Sequence, residues 1–174
     1  AQSFCLPNSN VIPHFNLGWS SQFLWEGKIS GTLEDVMLFE VRDFFEADLS
    51  HLQNHNEYPA LFKKAFNTEV IDDKLVTYAL AQFLRTLISG DSRVDKHILK
   101  EYAGMDIEGG PFLSPSELRG YEIFVSQERG DCNHCHGDYF NPLWTDNVYR
   151  NNGLDLQPDS GVAKYSKKIS DLGK

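Results

Sequence analysis

Residues 132 to 136 read Cys-Asn-His-Cys-His, and they are where this chain's chemistry is concentrated. Two thiols three positions apart can add to the two vinyl groups of one haem, and the histidine after the second thiol is then placed to coordinate the iron. The motif is short, and its residue types also suit a zinc site or a redox dithiol. Zinc would want a further pair of ligands at matching distance, yet His97 and His55 lie far upstream and isolated. A thioredoxin-like dithiol would want a βαβ setting, for which the surrounding pattern gives no sign. The expectation is one covalent haem c on Cys132 and Cys135 with His136 as iron ligand.

The elements that must hold this motif are helical. Ser114-Pro115-Ser116-Glu117 supplies an N-cap, a proline at the first helical position and an acid three residues on, predicting a helix over 115–127 that leads into the cysteines. Upstream, Thr32 and Asp35 predict a capping box. Leu33, Val36, Met37, Val41, Phe44 and Phe45 follow at roughly helical spacing. Short helices are expected over 59–66 and 94–102. The strongest signal spans 72–89, where Leu75, Val76, Ala79, Leu80, Phe83, Leu84 and Leu87 keep the 3.6 period and Gly90 stops it. Residues 1–28, with Pro7 and Pro13, read as an extended arm, and the loop over 104–113, with Gly109-Gly110-Pro111, reads as a domain boundary. Strand signals are almost absent, so the fold class is all-α.

Composition narrows the partners. The 174 residues carry a net charge of −9 and 41 % apolar residues, a globular balance that repels a phosphate backbone and suits basic protein partners. Nucleic acid is therefore not expected, and no apolar run approaches the roughly 20 residues that cross a bilayer. The opening AQSFCLPNSN has neither a basic nor an apolar signal region. Three cysteines leave Cys5 alone outside the motif, which argues against a disulfide framework.

Several blocks resemble the bacterial di-haem cytochrome c peroxidase family, in family order. They are Phe15-Asn16-Leu17-Gly18-Trp19 with Phe23-Leu24-Trp25-Glu26-Gly27, then Phe83-Leu84-Arg85-Thr86-Leu87-Ile88-Ser89-Gly90-Asp91-Ser92 with Asp95-Lys96. Arg119-Gly120-Tyr121-Glu122-Ile123-Phe124 before CNHCH and Asn151-Asn152-Gly153-Leu154-Asp155 after it complete the set. The resemblance implies two cytochrome c-like domains, each with a haem. One haem receives electrons and the other reduces hydrogen peroxide to water. CNHCH is similar to the second motif, whose haem is the electron-receiving one with methionine as its other ligand. The family also includes the oxidase that matures methylamine dehydrogenase, so a protein substrate is the alternative, and a mono-haem electron-transfer module is a third reading.

The resemblance carries further expectations. Residues 1–112 would be the rear of the N-terminal haem domain with its inter-domain arm, and 113–174 the front of the C-terminal domain: a middle segment. No first CxxCH is present, and Met37 and Met105 do not match the distal methionine. Trp25 is similar to the tryptophan between the haems. Glu46 falls near the glutamate that moves a proton between peroxide oxygens, and Val36 stands where the family has a glutamine. Asn10 matches an asparagine that donates to calcium in the complete protein. Arg85 would pair with an acid or a haem propionate. His134 would point outward, and His14, His51, His55 and His97 would serve surface or packing roles. The expected partners are hydrogen peroxide, a small donor such as a cytochrome c or cupredoxin, and a second copy in a homodimer. The expected location is the periplasm, reached through a signal sequence upstream of Ala1.

Overall fold

The computed structural model describes residues 13–24, 27–137, 143–148 and 150. Seven helices occupy them: α1 Leu33–Phe39, α2 Ser50–Gln53, α3 Tyr58–Phe66, α4 Asp73–Arg85, α5 Arg93–Glu101, α6 Pro115–Phe124 and α7 Asn133–His136. The strands β1 Gln22–Phe23 and β2 Ile29–Ser30 form a single short antiparallel ladder, pairing Gln22 with Ser30 and Phe23 with Ile29. The fold is all-α, as the helical periodicity and scarcity of strand signals require.

The chain divides into two compact units after Leu87, the second being Ile88–Arg150. The division lies upstream of the 104–113 loop where the sequence suggests a boundary. Arg93 of α5 donates to both carboxylate oxygens of Glu117 on α6, at 2.6 and 2.8 Å, and to the Phe112 carbonyl at 2.7 Å. Lys100 reaches the Gly109 carbonyl at 2.6 Å. The loop is therefore closed inside the second unit by cations on α5.

In the first unit, α1 begins where Thr32 caps the Asp35 amide while the Asp35 carboxylate accepts from the Thr32 amide at 2.7 Å. The apolar run after it does not stay α-helical: Glu40–Phe44 is a π-helical turn. Helix α4 starts at its Asp72 cap, whose carboxylate accepts from the Leu75 amide at 2.8 Å. It ends at Arg85, short of the expected residue 89. There the Thr86 hydroxyl bonds the Phe83 carbonyl at 2.7 Å, and tighter turns at Thr86 and Leu87 replace the α ladder.

Helix α4 serves two cores. Ala81 and Leu84 pack with Phe23, Leu33 and Val36, while Val76 joins Val41, Phe62 and Ile71. The buried face is Val76, Thr77, Ala81 and Leu84, which corrects the wider stripe read from the sequence. Leu80 and Phe83 are 38 % and 58 % exposed. A stripe two residues wide on each turn exceeds what one neighbouring helix can cover, so only its inner half is buried. Leu84→Ala is expected to cost about 2–4 kcal/mol, read as a lower urea midpoint with an unchanged slope.

Arg85 pairs with Glu34 through two parallel hydrogen bonds of 2.7 and 2.8 Å between α4 and α1. These bonds hold the Glu34 carboxyl below its ordinary range, with burial opposing them. A carboxyl whose folded pKa is depressed contributes stability above its unfolded value, and that stability is lost as pH falls through the folded value. Glu34→Gln is expected to cost about 1 kcal/mol at neutral pH. The difference from the parent chain should shrink through the acidic range below the ordinary glutamate value, as followed by urea unfolding at a series of pH values.

Candidate haem-attachment site

The second unit builds its site from α6 and the turn that follows. Ser114 caps the Glu117 amide at 3.3 Å and Glu117 returns a bond to the Ser114 amide at 2.7 Å, so α6 starts where expected. It stops at Phe124, three residues before the expected end. The Ser126 carbonyl then collects the amides of Arg129, Gly130 and Asp131 at 3.2, 3.1 and 2.9 Å, turning the chain sharply back. Gly130 is required at this turn, because a Cβ there would lie 2.6 Å from the Ile123 carbonyl oxygen and 3.3 Å from Cys132 Sγ. The first of these contacts is with backbone and cannot be relieved by a rotamer change.

The motif itself is one helical turn. The Cys132 carbonyl accepts from the Cys135 amide at 3.3 Å and the His136 amide at 3.0 Å. Residues at i, i+3 and i+4 lie on one helix face, so the two thiols and the imidazole share a side. Both thiols are free and half-buried, and the Cys132 thiol lies 3.5 Å from the Gly130 carbonyl oxygen. His134 is exposed, as expected for the residue between two anchors. The loop at 143–148 is pinned to the same turn through the Asp146 amide, which donates to the Cys135 carbonyl at 3.2 Å. Arg150 pairs with the Asp146 carboxylate at 2.6 Å.

Beside the motif lies a cavity of about 430 Å³ lined by Ser92, Val94, Tyr121, Phe124, His136 and Trp144. Phe124 stands 6.1 Å from the His136 ring and 5.5 Å from the Trp144 ring, centroid to centroid. An apolar cavity of this size with a few polar groups is of the kind that takes a flat organic cofactor. Among the described residues no set of three His, Cys, Asp or Glu side chains converges to hold a metal ion. Two thiols and an imidazole on one face of the turn fit two thioether bonds and one bond to iron. Gly130→Ala is expected to stop haem attachment while α6 still forms, read by haem staining of the denatured chain beside circular dichroism.

The remaining sequence candidates lie elsewhere. Glu46 is in the first unit, exposed, in a left-handed backbone conformation after the π-helical turn. Val36 is a core residue, 3 % exposed. Arg85 has the acid partner Glu34. Trp25, Asn10 and Cys5 lie outside the described residues, as does the Asn151–Asp155 block. Sequence reading missed two features. Tyr121 and Phe124 form a cavity wall, for which their i, i+3 spacing on α6 was the available signal. Glu40, on the π-helical turn, has its carboxyl raised by burial against the opposing pull of His14 and Lys28. Only tertiary packing identifies that carboxyl.

Fold and site together define an all-α chain whose Cys132-Asn133-His134-Cys135-His136 turn has the residue types and spacing that suit c-type haem attachment. The sequence pattern of the di-haem cytochrome c peroxidases matches residues 6–103, more than half of the chain and wholly upstream of CNHCH. The chain belongs to that family, and haem c is its cofactor class. It is similar to the methylamine utilization protein MauG of Methylophilus methylotrophus, 28 % identical over 161 residues that cover 89 % of this chain and 44 % of that protein. The MauG of Methylorubrum extorquens is also 28 % identical over 161 residues, covering 88 % of this chain and 42 % of its own length. The chain thus spans less than half the length of these curated relatives. Among the described residues no helix is long and apolar enough to cross a membrane.

Proposed function

We propose that this chain is part of a di-haem c-type peroxidase that reduces hydrogen peroxide to water. Its own haem would be the electron-receiving one, and a second haem is expected in the complete protein. The observation that carries the reading is the CNHCH turn, with two free thiols and His136 on one face beside an aromatic cavity, in a chain of this family. When bound, the haem supplies a one-electron redox centre. Cys132 and Cys135 would hold it through thioether bonds, and His136 would ligate the iron. Phe124, Tyr121 and Trp144 would pack against its ring beside His136.

Peroxide cleavage needs two electrons and two protons for each pair of waters formed. Glu46 is the proposed carrier of a proton between the peroxide oxygens, and Trp25 the proposed aromatic between the haems. Calcium, with Asn10 as one donor, is proposed only for the complete protein. The donor is a small redox protein such as a cytochrome c or cupredoxin, for which the charge of −9 favours a basic docking face. Export to the periplasm belongs to the same proposal, as does a homodimer.

Both curated relatives are methylamine utilization proteins, which supports oxidation of a protein substrate as the second reading. Turnover of peroxide by the complete parent with a reduced cytochrome donor separates the two. Steady donor oxidation supports the peroxidase. Peroxide consumption without donor oxidation, matched by a two-electron oxidation of an added protein substrate read as a change in its mass, supports the second reading.

A further inference from the structure

The bulkiest residue of the cavity wall sits in a backbone conformation that bulky residues avoid. Trp144 lines the cavity beside His136 with a φ of 54°, the left-handed region that large L-residues rarely enter. Asn147, in the same loop, has a φ of 57°, but asparagine tolerates that region. Glycine or asparagine at 144 would make the same turn at little cost. Tryptophan persists there because the residues after it are tied down. Most of these ties meet at Asp146. Its amide donates to the Cys135 carbonyl at 3.2 Å. Its carboxylate accepts from the Val148 amide at 3.0 Å and from the Arg150 guanidinium at 2.6 Å. Within the same loop the Asn147 amide donates to the Thr145 hydroxyl at 3.0 Å.

Trp144 meets Phe124 edge to face, with centroids 5.5 Å apart and planes at 76°. Phe124 in turn lies 6.1 Å from the His136 ring, with planes at 44°. A continuous run of contacts therefore links the Asp146 carboxylate, through the 143–148 loop and two aromatic rings, to the imidazole. Rings that meet edge to face fix each other's orientation as well as their separation. We propose that Asp146 is a positioning residue for the haem of this unit. By holding Trp144 in its strained conformation it sets, through Phe124, the plane of the His136 imidazole. The proposal rests on haem attachment at Cys132, Cys135 and His136, and it names the residue that orients the iron's ligand there. Groups that do not touch a metal tune it by orienting the side chains that do. The plane of an imidazole matters because its π orbitals mix with iron d orbitals in one direction only. Turning the ring redistributes unpaired electron density over the edge of the haem.

Proton NMR of the haem-loaded chain, oxidised and saturated with cyanide opposite His136, tests the role. In that low-spin ferric form the order of the haem ring-methyl shifts reports the plane of the imidazole. The parent chain should give a single set of ring-methyl signals. Asp146→Ala keeps the amide bond to Cys135 but loses both carboxylate ties, so the loop relaxes out of its left-handed conformation. Strain of this kind disfavours a residue by about five-fold or more, so the parent set should fall below about one-fifth of the signal. A set in a different order should replace it. Asp146→Asn still accepts from the Val148 amide and should return the parent order. Trp144→Leu keeps every tie, loses the ring, and should change the order as Asp146→Ala does. The parent order in Asp146→Ala or in Trp144→Leu overturns the positioning role, and so does a changed order in Asp146→Asn. Several sets in the parent overturn it as well. If Asp146→Ala does not fold, Trp144→Leu decides alone. A chain without haem from a host with attachment machinery overturns the attachment and this role with it; a haem-bearing chain with unmoved methyl shifts overturns the role alone.

Discussion

Replacing Cys132 and Cys135 together by alanine is expected to abolish covalently held haem completely. The parent chain, produced in a host with haem-attachment machinery, should keep its haem through denaturation and on a gel. The double variant should run at bare polypeptide mass without haem stain, because its remaining sulfur groups lie outside the motif and each thioether needs a thiol on the His136 face. Each single variant should retain one thioether and stain. His136→Ala should stain as well, since its thiols are intact, yet its spectrum should change because the axial nitrogen is gone. Haem staining that persists in the double variant would show that attachment does not run through this turn. So would a colourless parent chain from a competent host. The buried core of the first unit does not involve the motif, so loss of haem need not unfold it.

The second large effect concerns the isolated 174-residue chain. It contains one CxxCH, and Cys5 has no second cysteine or histidine in register. On the proposed reading the peroxide-reacting iron belongs to the other haem. Nor do the two methionines answer to the missing axial partner. Met37 packs against the core of the first unit, and Met105 is 53 % exposed on the second. Without a thioether ligand opposite His136 the potential should fall, because Met/His ligation raises it. The isolated chain is therefore expected to turn over peroxide with a reduced cytochrome donor at least about 100-fold more slowly than the complete parent, the range spanned by loss of positioned proton transfer alone. Its midpoint potential should lie below that of the corresponding haem in the parent. Equal rates would show that one haem suffices.

In the second unit Tyr121 and Phe124 lie on α6, while Cys132, Cys135 and His136 lie on the turn that carries α7, so variants of the cavity wall and of the anchors can be read separately. In the first unit, Phe44, Phe45 and Phe83 stay 49 %, 58 % and 58 % exposed, so the 12 phenylalanines are not all consumed by the core. Exposed aromatic rings of this kind are common where a surface serves contact with something else.

The features that the amino-acid sequence determined by itself are those governed by local chemistry. Thr32 with Asp35, Asp72 with Leu75 and Ser114 with Glu117 cap their helices through hydrogen bonds that span three residues. Side chain and amide are brought together by the chain's own geometry. CNHCH is local in the same sense, because i, i+3 and i+4 share a face on any helical turn. Tertiary structure decided what depends on distant partners. It chose which half of the α4 stripe is buried, leaving Leu80 and Phe83 in solvent, because only α1 and its neighbours cover that helix. It ended α4 at Arg85, where the Asn16 amide takes the Leu87 carbonyl at 2.9 Å and Glu34 takes the guanidinium. It turned 40–44 into a π-helical turn and thereby placed Glu40 where burial raises its carboxyl. And it brought His97 and Tyr102 from one helix against Tyr121 from another, a meeting set by the side-chain ties that hold α5 to α6 and legible in no single segment.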